Sequence, residues 1–199
     1  MSKNVLSLFP SSVSFYVIDS NKTEKINTEE FEFIETSAED GSSVTLSVEV
    51  LKKYPKLKKS IMDNFIDFST KHLHYDQKFR LTTSWITKVC PAVTTNFHNH
   101  KNCFYSGVYY FDEYVDGSGK LEFKNPLADL SSFHILPNKY DLHSAFSWSI
   151  PPQKNLLVFF PSYLYHRVTK HQGKQNRFSL AFNIVPDGSF GSRDSFYLI

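Results

Sequence analysis

Asn176-Arg177-Phe178-Ser179-Leu180-Ala181-Phe182-Asn183 reads as a β-strand with two unlike faces. Successive side chains of a strand point to opposite sides, so Arg177, Ser179, Ala181 and Asn183 share one face, and Phe178, Leu180 and Phe182 share the other. The ring-bearing face has to be packed. An arginine turned inward on the other face is costly without an anionic partner. That partner is either a protein carboxylate or a bound anion.

Eleven residues upstream of Arg177, the run Leu157-Val158-Phe159-Phe160-Pro161-Ser162-Tyr163-Leu164-Tyr165-His166 starts as a buried strand and ends in a histidine. Further upstream, Asn96-Phe97-His98-Asn99-His100 places two imidazoles two residues apart. In a strand these lie on one side, at a spacing that suits chelation of one ion. A two-residue histidine pair is weak by itself and equally describes two loop histidines. His166, 66 residues beyond His100, leaves room for the intervening strands to return to the same mouth. His98, His100 and His166 are therefore the candidate metal ligands. The remaining histidines (His72, His74, His134, His143 and His171) stand in polar or loop contexts and are expected at the surface.

The strands expected from alternation and from β-branched or aromatic content cover residues 79–89, 104–111, 121–123, 133–136, 146–150, 156–160, 168 and 178–185. Asp116-Gly117-Ser118-Gly119, Leu136-Pro137-Asn138, Ile150-Pro151-Pro152 and His171-Gln172-Gly173 separate them as turns. A helix is expected over residues 54–73, because Leu57, Ile61, Phe65 and Phe68 recur every three or four residues and Pro55 suits a first turn. Many short strands with one flanking helix make a mainly β antiparallel barrel or sandwich, and a double-sheet jelly roll fits best. Residues 1–199 read as one domain, with the part before residue 75 packing on a jelly-roll core of about residues 79–186.

Composition excludes several classes. Lys and Arg total 22 against 20 Asp and Glu, for a net charge of +2, too balanced to imply nucleic acid or a membrane surface as partner. The cluster Lys52, Lys53, Lys56, Lys58 and Lys59 reads as a solvated helix face. Two cysteines, Cys90 and Cys103, exclude a multi-bridge framework and a four-cysteine zinc site; reduced thiols are expected, with a single Cys90–Cys103 bridge as the alternative. The N-terminal stretch has no long apolar run, and no segment is apolar enough to span a bilayer, so a cytoplasmic protein is expected.

Four stretches together resemble one family: NFHNHKNCFYSGVYYF (96–111), the glycine turn into LEFKNP (121–126), VFFPSYLYHRV (158–168) and NRFSLAFNIV (176–185). LSLFPSSV (6–13) adds a weaker echo. The chain is similar to the small 2-oxoglutarate- and Fe(II)-dependent oxygenases of marine phages and bacteria, over about residues 85–185. The resemblance implies a double-stranded β-helix (jelly roll) core, with flanking helix, that holds Fe(II) on His98, His100 and His166. It implies that Arg177, with Ser179, holds the distal carboxylate of the cosubstrate 2-oxoglutarate. It also implies that O2 is consumed, with release of succinate and CO2, to hydroxylate a peptidyl (prolyl included) or small-molecule substrate, in a host's cytoplasm if the gene is a phage's. The substrate itself and the oligomeric state are not legible.

The wider superfamily uses two histidines and a carboxylate. Here the carboxylate's place, two residues after His98, is taken by His100; Glu122 and Asp112 are the nearest substitutes, and neither has the right spacing. Tyr109 shares a strand face with Tyr105; if that face is inward its hydroxyl is a cosubstrate donor, and otherwise it is core packing. Two rival readings remain. A three-histidine cupin would carry a Glu about four residues after the histidine pair, where this chain has Phe104 and Tyr105, and would not need Arg177. A non-enzymatic jelly-roll binding domain leaves the three histidines and the arginine without a task.

Overall fold

The computed structural model describes residues 10–36, 41–128 and 135–198. Its frame is a seven-stranded antiparallel sheet. The strands are β1 (Ser14–Val17), β2 (Phe33–Glu35), β3 (Ser42–Thr45), β4 (Lys78–Val89), β5 (Tyr105–Tyr109), β8 (Leu156–Pro161) and β10 (Arg177–Asp187), in the order β1-β8-β5-β10-β4-β3-β2. A smaller sheet orders β7 (Ser147–Ile150), β6 (Leu121–Lys124) and β9 (His166–Val168). β11 (Ser189–Phe190) and β12 (Tyr197–Leu198) pair separately near the C-terminus.

Alternation along the central strands builds two cores. Leu157, Phe159, Tyr105, Tyr109, Leu180, Phe182 and Ile184 leave the large sheet on one side. The helix α1 (Pro55–Lys71) covers them with Leu57, Ile61, Phe65 and Phe68, the spacing that predicted it. Val108, Tyr110, Val158 and Phe160 leave the opposite side and meet Leu121, Phe123 and Ile150 of the small sheet. The result is helix, large sheet, small sheet: a double-stranded β-helix with one flanking helix, as expected. Gly107 has no room for a Cβ, which would lie 2.3 Å from the Phe182 ring and 2.7 Å from the Val158 carbonyl.

The part of the chain before residue 75 supplies β1 to one edge of the large sheet and β2–β3 to the other. These strands are three or four residues long and partly exposed, so their alternation is weak in sequence. The strand expected over 133–136 is absent at Ile135 and Leu136; its first half, like His134 and Leu6–Phe9 of the N-terminal echo, lies outside the described residues. Cys90 and Cys103 are both free, and among the described residues no helix is long and apolar enough to cross a membrane.

Candidate active site

The segment carrying the histidine pair runs beside β9 and extends the small sheet. His98 and His166 pair as an isolated antiparallel bridge, and the His100 N–H donates to the Ser162 carbonyl at 3.0 Å. The backbone thus fixes where all three imidazoles start. Their ring centroids lie 4.4 Å (His98–His166), 5.1 Å (His100–His166) and 5.3 Å (His98–His100) apart. One nitrogen from each falls within 4.8 Å of the others, and the Nε2 atoms of His100 and His166 are 3.3 Å apart.

Two of the rings have a set tautomer. His98 Nδ1 lies 3.0 Å from the Asn96 carbonyl and His166 Nδ1 2.9 Å from the Leu164 carbonyl. A carbonyl only accepts, so the proton resides on Nδ1 and the Nε2 lone pair is left for a metal. Burial keeps two of the imidazoles neutral: His166 is pushed down to about 3 and His100 to about 4, by desolvation first and by the neighbouring His98 next. Three imidazole donors converging within 4.8 Å of one another fit a divalent transition metal.

Glu122 does not complete the set. Arg167 Nε donates to its carboxylate at 2.6 Å, Ser147 does so at 3.0 Å, and Arg167 also stacks over Phe97. Among the described residues the three histidines are the group able to hold an ion, and Asp112 is not part of it.

The histidines share a cavity of about 300 Å³ with Arg177, Ser179, Tyr110, Thr87, Thr95 and Trp85. Arg177 is only 3% exposed. Its Nε donates to the Gly119 carbonyl at 2.9 Å and one Nη donates to the Ser179 hydroxyl at 3.2 Å. Its guanidinium lies 5.3 Å from the Tyr110 ring centroid and 6.0 Å from that of Tyr114, which is itself held by a 2.6 Å bond to the Phe178 carbonyl. No carboxylate among the described residues pairs with it. A buried guanidinium oriented by neutral groups alone lacks the anion its burial calls for.

Arg177 and Ser179 therefore stand on the inner face, as the strand alternation predicted, but Tyr109 does not. Its hydroxyl donates to Asn155 Oδ1 at 3.3 Å, and its ring packs under α1. The neighbouring Tyr110 faces the cavity instead. It is fully buried, its hydroxyl proton has no acceptor among the described residues, and burial raises its phenol above the ordinary range against the opposing pull of Arg177. The sequence concealed this because both faces of β5 are buried, so alternation there separates two cores and does not mark inside from outside. His171 also departs from expectation. It is 2% exposed; Nε2 donates to the Gln175 carbonyl at 2.6 Å, and Nδ1 accepts from the Gly119 N–H at 3.4 Å. It braces the turn whose carbonyl holds Arg177.

A family model described as "Putative 2OG-Fe(II) oxygenase" matches residues 83–183. Similar solved structures include a prolyl-4-hydroxylase of Pseudomonas putida (TM-score 0.52, 16% identity, covering 78% of this chain and 78% of that one). Another is HygX of Streptomyces hygroscopicus with nickel, 2-oxoglutarate and hygromycin B bound (0.52, 11%, covering 79% and 74%). A third is the α-ketoglutarate-dependent carbocyclase SnoK of nogalamycin biosynthesis (0.56, 14%, covering 81% and 70%). At these identities the structures share the fold. No curated protein matches by sequence.

Proposed function

The chain belongs to the 2-oxoglutarate–Fe(II) oxygenase family, and on that premise we propose that His98, His100 and His166 are its iron ligands and that Arg177, Ser179 and Tyr110 receive the distal carboxylate of 2-oxoglutarate. The observation that carries this is the pairing, in one cavity, of three convergent imidazoles with a buried guanidinium that no carboxylate among the described residues pairs. A metal and a dicarboxylate answer both at once.

With iron and 2-oxoglutarate bound, the site would supply the family's chemistry, in which O2 and 2-oxoglutarate give succinate and CO2 and a substrate C–H becomes C–OH. The chain's own part is binding and orientation. Arg177 offers a planar fork to a carboxylate. The Ser179 hydroxyl faces the same way from two residues along β10, and the orphaned Tyr110 hydroxyl is a donor with no competing acceptor. Leu121, Val108 and Phe160 keep the wall between the two ends apolar. Three neutral ligands leave the metal one negative charge richer in demand than a two-histidine, one-carboxylate site, which the cosubstrate's carboxylates offset.

The substrate is proposed to be peptidyl or a small molecule. The family's fold hosts both kinds, as the prolyl-4-hydroxylase and the hygromycin-bound HygX illustrate. The three-histidine cupin and the non-enzymatic binding domain are not favoured, because neither uses Arg177.

Anaerobic reconstitution with Fe(II), followed by O2 and labelled 2-oxoglutarate, tests the proposal. Labelled succinate should form with the wild type and not with His166→Ala. Equal succinate from both would remove these residues from the chemistry.

A further inference from the structure

The three imidazoles are not held alike. His98 and His166 each donate Nδ1–H to a backbone carbonyl two residues before them. Among the described residues, the side-chain hydrogen bond of His100 runs from Nε2 to His166 Nε2 at 3.3 Å, and none is made by its Nδ1. Metal-ligating histidines almost always have such a partner, because it locks the ring's rotation and raises its basicity. His100 also lines two cavities: the 300 Å³ one shared with Arg177, and a second of about 500 Å³ on the side of Tyr75, Phe104, Tyr105 and Tyr163.

Among the described residues, the aromatic neighbour of the ring apart from the other two histidines is Trp85. The indole lies 5.5 Å from the imidazole, tilted by 52°. Trp85 sits on the inner face of β4, opposite Ala181 of β10, whose small side chain leaves the indole room. His100 stands where the superfamily has a carboxylate. A carboxylate is short and offers either of two oxygens. An imidazole is longer and must be turned to aim one nitrogen.

Resting on the triad assigned above, we propose that the metal centre is a two-plus-one site: His98 and His166 form a pre-set pair, and His100 is a looser third ligand aimed by Trp85 in place of a hydrogen bond. Trp85 is a positioning residue, acting through the His100 ring. His100 is the ligand able to yield when the coordination sphere changes.

Cobalt(II) titration tests this without turnover, because its visible spectrum reports coordination number and geometry. The wild type should bind one Co(II). His98→Ala and His166→Ala should lose stoichiometric binding. His100→Ala should keep one Co(II), weakened by roughly 10- to 100-fold, the range seen when one orienting partner is lost, with an altered spectrum. Trp85→Leu should change the spectrum in the same direction, and Trp85→Phe, which keeps a flat ring, should restore it. The inference is overturned if His100→Ala loses the metal as completely as the other two, or if folded Trp85→Leu keeps the wild-type spectrum. Should Trp85→Leu fail to fold, the comparison of the three histidine variants still decides. A wild type that binds no Co(II) would overturn the triad assignment itself.

Discussion

His98 and His166 face each other across an antiparallel bridge: the His98 N–H donates to the His166 carbonyl at 3.0 Å, and the His166 N–H to the His98 carbonyl at 2.9 Å. The bonds belong to the backbone and survive loss of either side chain. His98→Ala and His166→Ala should therefore keep wild-type circular dichroism while losing stoichiometric iron. Iron analysis after anaerobic loading checks this, and full occupancy in both variants would sink the ligand assignment.

Tyr110 and Tyr109 give opposite expectations. Tyr110→Phe removes a buried hydroxyl that has no acceptor among the described residues, so the unliganded protein should lose little stability, while a hydroxyl donor to a carboxylate is lost and 2-oxoglutarate should bind roughly tenfold more weakly. Tyr109→Phe loses only the bond to Asn155 and should leave 2-oxoglutarate affinity unchanged. Denaturant unfolding and cosubstrate titration of both variants separate the two roles. The same affinity loss in both would contradict the assignment of faces on β5.

Phe65 reports on the helix layer alone. It is fully buried and meets Phe68, Phe79, Tyr105 and Phe159 at ring-centroid distances of 5.1–6.3 Å. Phe65→Ala should cost about 3–5 kcal/mol of stability through the cavity it leaves. Below its unfolding transition the variant should still bind one iron, because the large sheet separates this core from the histidines. Loss of iron binding by a folded variant would show the two sides of the sheet to be coupled.

Where the sequence carried a strong periodic signal, fold and site could be read from it. Leu57, Ile61, Phe65 and Phe68 marked the packed face of α1, and alternation from Arg177 to Asn183 set Arg177 and Ser179 inward. The histidine pair marked its own segment because one strand face must carry both rings. Tyr110 was hidden since Tyr105, Val108, Tyr109 and Tyr110 are all buried, and no periodicity distinguishes a face under a helix from one under a second sheet. His171 was hidden because its burial comes from contact between two separate turns, those of Gly119 and Gln175. The short edge strands β1, β2 and β3 are recruited by pairing with strong neighbours, and their own residues signal little.

The most direct test of the account is calorimetric titration of 2-oxoglutarate into the anaerobic Fe(II) protein, comparing wild type with Arg177→Ala and Arg177→Lys. The wild type should bind one equivalent. Arg177→Ala would leave the cosubstrate's distal carboxylate buried and unpaired, a loss of about 3–5 kcal/mol by analogy with broken buried ion pairs. Arg177→Lys keeps the charge without the fork and should fall between the two. Near-equal affinity for wild type and Arg177→Ala would contradict the account.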